Sequence, residues 1–309
     1  MARCFVTRQL PGPALRRLAE EHQTEVWPEP LPPAHDELLA RAPELEGLLS
    51  LPTDRIDAEL IAHAPRLKAI SNYAVGYDNV DAAAAAARGI PVGHTPGVLT
   101  DATADLAFAL LLAAARRLPG AMAAVPAGKW RTWDPGSYLG IELTGTTLGI
   151  VGMGRIGQAV AQRAGGFGMR VVATTSSSAP AETAELLRDA DFVSLHAPLS
   201  ETTRHLIGRQ ALQQMKPTAI LINTARGGLV DHDALAAALT AGTIAGAALD
   251  VTDPEPIPLS HPLLQAPNLV LTPHIGSATV AARQRMAELA VDNLLAGLTG
   301  RAMPHQVPG

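Results

Sequence analysis

One cysteine, three lysines and few aromatic side chains set the first limits on this 309-residue chain. Cys4 alone excludes an intramolecular disulfide and any cysteine-built metal cluster. Charged residues are 17% of the chain, and 24 basic side chains against 29 acidic ones leave a net charge of −5. That balance provides no basic surface for nucleic acid or an anionic membrane, so neither is expected as a partner. Long apolar runs are missing too. The longest, residues 106–115, falls well short of the ~20 residues needed to cross a bilayer. The N-terminus shows no basic stretch followed by an apolar core, so no signal peptide is expected and the cytoplasm is the default location. Histidine and glutamate form no cluster at metal-ligand spacing, and no metal is expected. What the chain does have is alanine and a hydrophobic fraction of 47%, ample for the cores of two domains of ~100–200 residues each.

Strand and helix signals alternate along the first hundred residues. Strands are predicted at 4–7, 25–27, 47–51, 68–71 and 90–93, and helices at 12–21, 35–41, 57–63 and 81–88. Pro13 suits a first helical turn, and Gly89 suits a helix end. Such alternation with short connections means a parallel, doubly wound sheet. Thr100 then opens a long helix to about residue 117, apolar on nearly all sides and therefore buried. Residues 119–140, rich in Pro, Gly and Trp, carry no strong periodicity. Further strands follow at 147–151, 170–173, 192–196, 219–223, 245–249 and 269–271. A final helix over 279–298 sets Val280, Met286, Leu289, Ala290 and Leu294 on one face, suited to packing back on the first domain.

Immediately after the strand at 147–151 stands Gly152-Met153-Gly154-Arg155-Ile156-Gly157, and a helical stretch follows. Alone, such a glycine pattern is weak. Between a strand and a helix it is a dinucleotide-binding fingerprint. Gly152 permits the tight turn, Gly154 lets backbone approach a pyrophosphate, and Gly157 allows close helix–strand packing. The free N–H groups of the helix N-terminus favour phosphate. The expected fold is α/β: two doubly wound parallel-sheet domains. A Rossmann nucleotide domain, 100–277, is inserted into a flavodoxin-like substrate domain, 1–99 and 278–309.

Three later strand ends carry chemistry: Asn223-Thr224-Ala225-Arg226-Gly227, Asp253-Pro254-Glu255-Pro256 and Pro273-His274-Ile275-Gly276-Ser277. Parallel strands deliver their C-termini to one edge, where ligands bind. A fixed guanidinium can hold a carboxylate and polarise a carbonyl. A histidine held by a carboxylate can pass a proton near neutral pH. That equipment suits reduction of a 2-oxo acid.

With these segments, Asn72-Tyr73-Ala74-Val75-Gly76-Tyr77-Asp78 and Thr95-Pro96-Gly97-Val98-Leu99-Thr100-Asp101, the chain resembles the D-isomer-specific 2-hydroxyacid dehydrogenase family over essentially its whole length. Val92-Gly93-His94-Thr95-Pro96, Arg116-Arg117-Leu118-Pro119 and the segment 249–256 look most similar to glyoxylate/hydroxypyruvate reductases. The resemblance implies that Arg226 binds the substrate carboxylate and leans on the 2-oxo group. It makes His274 the proton donor, with Glu255 hydrogen-bonded to it. Val75, Gly76 and Ser277 join Arg226 and His274 in substrate binding, the Val75-Gly76 turn through backbone N–H groups. The cofactor set is Thr103, Gly152, Gly154, Arg155, Ile156, Gly157, Thr175, Ser176, Ser177, His196, Pro198, Thr224, Ala225, Asp250 and Gly276, with Asp250 near the nicotinamide. The stretch 119–140 is implied to form a homodimer contact, although Trp130 and Trp133 read equally well as core.

The chain departs from the family pattern after Val171-Val172-Ala173, where a further strand is usual. Here Thr174-Thr175-Ser176-Ser177-Ser178 leads through one helix, to about residue 189, into the next strand, roughly ten residues short of the family pattern. The acidic residue that binds the ribose 2′-hydroxyl of NAD is absent there, and no acid occurs until Glu182. NADP(H) is therefore the preferred cofactor, with NAD(H) possible. The leading reactions are glyoxylate to glycolate and hydroxypyruvate to D-glycerate. Alternatives are another D-2-hydroxyacid or 2-ketoaldonate dehydrogenase and, outside enzymes, a dinucleotide-sensing corepressor-like protein.

Overall fold

The computed structural model describes residues 1–308. In chain order the strands are β1 (Arg3–Val6), β2 (Gln23–Val26), β3 (Gly47–Ser50), β4 (Ala69–Asn72), β5 (Val92–Gly93), β6 (Thr147–Val151), β7 (Arg170–Thr174), β8 (Phe192–Leu195), β9 (Ile220–Asn223), β10 (Gly246–Leu249) and β11 (Leu269–Leu271). The helices are α1 (Ala14–Glu21), α2 (His35–Arg41), α3 (Ala58–His63), α4 (Ala82–Ala87), α5 (Thr100–Ala115), α6 (Leu118–Ala124), α7 (Arg155–Gly166), α8 (Pro180–Asp189), α9 (Arg209–Gln214), α10 (His232–Ala241) and α11 (Val280–Leu298). The chain divides into two compact units, one of Met1–Leu99 with the segment from Ala278 onward, the other of Thr100–Ser277.

In the first unit the parallel strands are ordered β2-β1-β3-β4-β5. Phe5, Leu48, Ile70 and Val92 point to one face and form a core with Leu38, Leu60, Ile61 and Ala85 from α2, α3 and α4. The helix α11 covers the other face with the buried Met286, Ala290 and Leu294, whereas Val280, expected on the same face, lies at the helix start and is 76% exposed. The helix lies so close that a Cβ on Gly93 would fall 2.6 Å from Asn293 Cβ. Asp57 and Asp81 accept hydrogen bonds from Leu60 N–H and Ala84 N–H, capping α3 and α4. Each such cap contributes ~1 kcal/mol.

The second unit is a six-stranded parallel sheet, ordered β11-β10-β9-β8-β6-β7. Side chains alternate across it with the period of a strand. Leu148, Ile150, Phe192, Ile220, Ile222 and Ala248 meet α5 and α7 on one face. Val151, Val193, Leu195, Leu221, Ala247 and Leu249 meet α8, α9 and α10 on the other. Full burial of each Leu, Ile, Val or Phe stabilises by about 1.5–3 kcal/mol, so this interleaving dominates the sheet's register. Among the described residues no strand pairs with the outer side of β7, so the short link after it leaves β7 as the edge.

Several local features differ from the sequence expectations. α5 ends at Ala115 because Arg117 adopts a left-handed φ of 53°. The aperiodic stretch contains α6, too short for a periodic signal. The helices α9 and α10 were not anticipated, and the apolar α10 gives its Ala and Leu side chains to the core. Trp130 and Trp133 are 72% and 81% exposed, so they are not core residues of this chain. Among the described residues no single helix is long and apolar enough to cross a membrane.

Candidate active site

The turn after β6 shows why its glycines are needed. Gly152 has φ 101°, and a Cβ there would lie 2.6 Å from His196 C and Ala197 N. A Cβ on Gly157 would lie 2.3 Å from Gly152 O, so the first turn of α7 presses directly on the strand end. Gly154, the N-cap of α7, has open space where a side chain would sit and supplies no capping side chain. The first-turn amides of this 12-residue helix thus have no side-chain cap and are set to receive phosphate oxygens. The buried Thr224 Oγ1 lacks a protein partner, a second feature suited to a polar ligand along this edge. These residues fit a dinucleotide, with Arg155 and Ile156 in the first turn.

The rest of the edge follows strand by strand. After β7, Thr175 Oγ1 lies 2.9 Å from Ser177 Oγ, and Thr175 N–H donates to Ser178 Oγ at 3.2 Å. Thr175, Ser176 and Ser177 are exposed. Glu182, the first acid beyond them, accepts from Ala179 N–H at 3.3 Å, at the start of α8. After β8, His196 Nε2 is 2.8 Å from Ser194 Oγ. Desolvation pushes its ring down to about 4, although part of the residue reaches the surface. A neutral His196 suits a wall of the site and not proton delivery. The exposed Pro198 follows it.

At the end of β9, Asn223 is fully buried and folds its amide over the next turn. Its Oδ1 accepts from Ala225 N–H at 3.0 Å, and its Nδ2 donates to Arg226 O at 2.8 Å. Arg226 is thereby held at its backbone, and its Nη1 donates to Ala225 O at 2.9 Å. Gly227 touches the next loop: a Cβ there would lie 2.0 Å from Thr252 C and O. In that loop Thr252 Oγ1 donates to Pro254 O at 2.8 Å, and Thr252 N–H donates to Glu255 Oε2 at 3.4 Å. Glu255 Oε1 then accepts from His274 Nδ1 at 2.5 Å. With Nδ1 engaged, Nε2 is the ring nitrogen left to exchange a proton.

His274 adopts a left-handed φ of 54°, a conformation that costs of order 1–3 kcal/mol outside glycine and that clusters at functional sites. Asp250 holds it there. Its carbonyl accepts from His274 N–H at 2.8 Å, Oδ1 accepts from Ile275 N–H at 2.8 Å and Thr272 Oγ1 at 2.6 Å, and Oδ2 accepts from Gly276 N–H at 2.7 Å. Asp250 is 1% exposed and clamps the histidine turn. Thr103 Oγ1 donates to Gly276 O at 3.3 Å, tying the same turn to α5. Ser277 closes this unit, and in the other unit Val75 and Gly76 follow β4.

Sequence reasoning missed Asn223, Thr252 and the clamp on His274. An Asn directly after an apolar strand and before a turn is a known local signal, the Asx-turn. Asp250 gives none, because its partners lie 22 to 26 residues away. The fold also gathers His35, Asp57 and Glu59 in the first unit, with His35 Nε2 at 3.6 Å from Asp57 and 4.0 Å from Glu59. Arg55 Nε stands 2.6 Å from the same Asp57 oxygen, so a cation already balances it.

Comparison with known proteins agrees with this geometry. Residues 108–276 match the model of the D-isomer specific 2-hydroxyacid dehydrogenase NAD-binding domain. The glyoxylate reductase of Thermococcus litoralis is 49% identical, over 98% of this chain and 96% of that one. A crystal structure of a Thermus thermophilus protein superposes with a TM-score of 0.92 at 54% identity, covering 99% of this chain and 100% of that one. The NADPH-dependent glyoxylate/hydroxypyruvate reductase of Sinorhizobium meliloti, in complex with NADP and malonate, gives 0.88 at 33% identity, over 99% and 96%. The chain therefore belongs to the D-isomer specific 2-hydroxyacid dehydrogenase family of oxidoreductases.

Proposed function

We propose that this enzyme reduces small 2-oxo acids, glyoxylate to glycolate and hydroxypyruvate to D-glycerate, with NADPH preferred over NADH. The observation that carries the reading is the His274–Glu255 hydrogen bond of 2.5 Å, on a histidine locked by Asp250 and one loop away from Arg226. The nicotinamide, when bound, supplies the hydride that attacks C2. Arg226 pairs with the substrate carboxylate through its planar fork and draws charge from the 2-oxo oxygen. His274 Nε2 delivers the proton to that oxygen, and Glu255 balances the imidazolium charge on the Nδ1 side. On the family resemblance, backbone N–H groups of the Val75-Gly76 turn receive the carboxylate. Positioning and preset electrostatics carry most of the acceleration.

The phosphate preference is supported by the loop after β7. Its hydroxyls are exposed and able to donate, and its nearest acid is engaged at Ala179. A homodimer is supported by the exposed apolar side chains of Met122, Val125, Trp130, Trp133 and Leu139. A panel of 2-oxo acids, assayed with NADPH and NADH by loss of absorbance, tests the substrate and the cofactor together. No turnover with any acid in the panel refutes the function, and equal or better kcat/KM with NADH refutes the preference. A monomer by light scattering at micromolar concentration refutes the dimer.

A further inference from the structure

The turn after β4 is held by two side chains that grip successive carbonyls. Val75 O accepts from His94 Nδ1 at 2.8 Å, and Gly76 O accepts from Asn72 Nδ2 at 3.0 Å. Asn72 is fully buried, with its Oδ1 accepting from Ser50 Oγ at 3.1 Å and its Nδ2 also donating to Asn79 Oδ1 at 2.9 Å. His94 is fixed on both sides of its own backbone. Its N–H donates to His305 O at 3.0 Å, and its carbonyl accepts from Asn293 Nδ2 at 2.8 Å. The Tyr77 ring meets the imidazole edge-on, 5.8 Å between centroids.

Because Val75 O is an acceptor only, His94 must carry its hydrogen on Nδ1. The peptide bonds on either side of Gly76 are trans, so in each plane the C=O and N–H point opposite ways. Holding the Val75 and Gly76 carbonyls with His94 and Asn72 therefore aims the N–H groups of Gly76 and Tyr77 away from those side chains.

We infer that His94 is a positioning residue: its grip on the Val75 carbonyl keeps the Gly76 N–H aimed for the substrate carboxylate. This rests on the reading that the Val75-Gly76 turn receives that carboxylate. His94 touches neither substrate nor cofactor in this role, so its loss weakens substrate binding and leaves chemistry intact.

The test compares two substitutions of matching shape. Asn places an amide N–H as many bonds from Cα as His places Nδ1, and Leu has nearly the same outline with no donor. In glyoxylate reduction at saturating NADPH, His94→Leu raises the KM for glyoxylate about five- to tenfold, the scale of one net hydrogen bond, with kcat within about twofold. His94→Asn restores KM to within about twofold of wild type, and the KM for NADPH stays level in both. An unchanged KM in a folded His94→Leu, or equal KM values in the Asn and Leu variants, overturns the inference. If Leu prevents folding, His94→Ala takes its place with the same expected result. A wild-type protein that reduces no 2-oxo acid overturns the functional reading and this inference with it. An active wild type with a KM indifferent to His94 overturns this inference alone.

Discussion

The two ends of the second sheet are built differently. At the β9–β11 end, each functional side chain stands on a turn gripped by a buried polar residue. Asn223 holds the Arg226 turn, Thr252 the Glu255 loop and Asp250 the His274 turn. At the β7 end, among the described residues, Thr175, Ser177 and the half-buried Ser178 hydrogen-bond to one another beside an edge strand. Proton and charge transfer tolerate little displacement, so that end is pre-organised at some cost in strain. Holding a phosphate on the outer half of a cofactor needs only donors within reach. On the proposed reading, an exposed loop of hydroxyls meets that need.

The comparison is broken most directly at the catalytic end. His274→Ala and Arg226→Lys are each expected to lower kcat/KM by at least ~10²-fold while NADPH affinity, read by fluorescence titration, barely moves. Near-wild-type turnover in either variant removes that residue from the mechanism. The next effect is on packing. Gly227→Ala puts a methyl 2.0 Å from the Thr252 carbonyl carbon. It is expected to cost at least the ~1–3 kcal/mol of overpacking, seen as a lower Tm, and to cut kcat by separating Arg226 from Glu255. An unchanged melting curve would show that the two loops are not rigidly apposed.

A pH effect sharpens the contrast. The folded-state value of His196 is depressed to about 4, so folding excludes a proton that the unfolded chain binds. The stabilisation from keeping it neutral is present above its unfolded value near 6.5 and is lost as pH falls towards 4, on the order of 3 kcal/mol. His196→Gln should therefore flatten the dependence of Tm on pH between these limits. The smallest effect belongs to the β7 end. Ser176→Asp supplies the missing acid, and the NADPH to NADH ratio of kcat/KM should fall about tenfold, with stability changed by less than ~0.5 kcal/mol. A large loss of Tm there would refute the view that this loop carries no structural duty.

Much of this is legible in the sequence. The fingerprint, the strand-end positions of Arg226, Glu255 and His274, and the absent strand after β7 all follow from local pattern. Apolar runs of strand length, bounded by Gly, Pro and Asn, give nearly the same boundaries whatever surrounds them. α10 was harder to read, because its alanines carry little contrast between faces, and α6 and α9 are short. The bracing role of Asp250 was hidden for a different reason. Only the return of the chain at Thr272–Gly276 shows which backbone N–H groups and hydroxyl its oxygens hold.

The sequence by itself determined the parallel α/β architecture, the dinucleotide turn and the strand-end placement of the candidate residues Arg226, Glu255 and His274. Each depends on residue type and on spacing of a few positions. Only the tertiary structure decided which polar groups brace them: Asp250 on a turn more than twenty residues later, Gly227 against Thr252, and His94 on the Val75 carbonyl. Those pairings are between segments distant in the chain. They exist because burial of two interleaved cores sets the strand register, and no local pattern encodes which loops that register brings side by side.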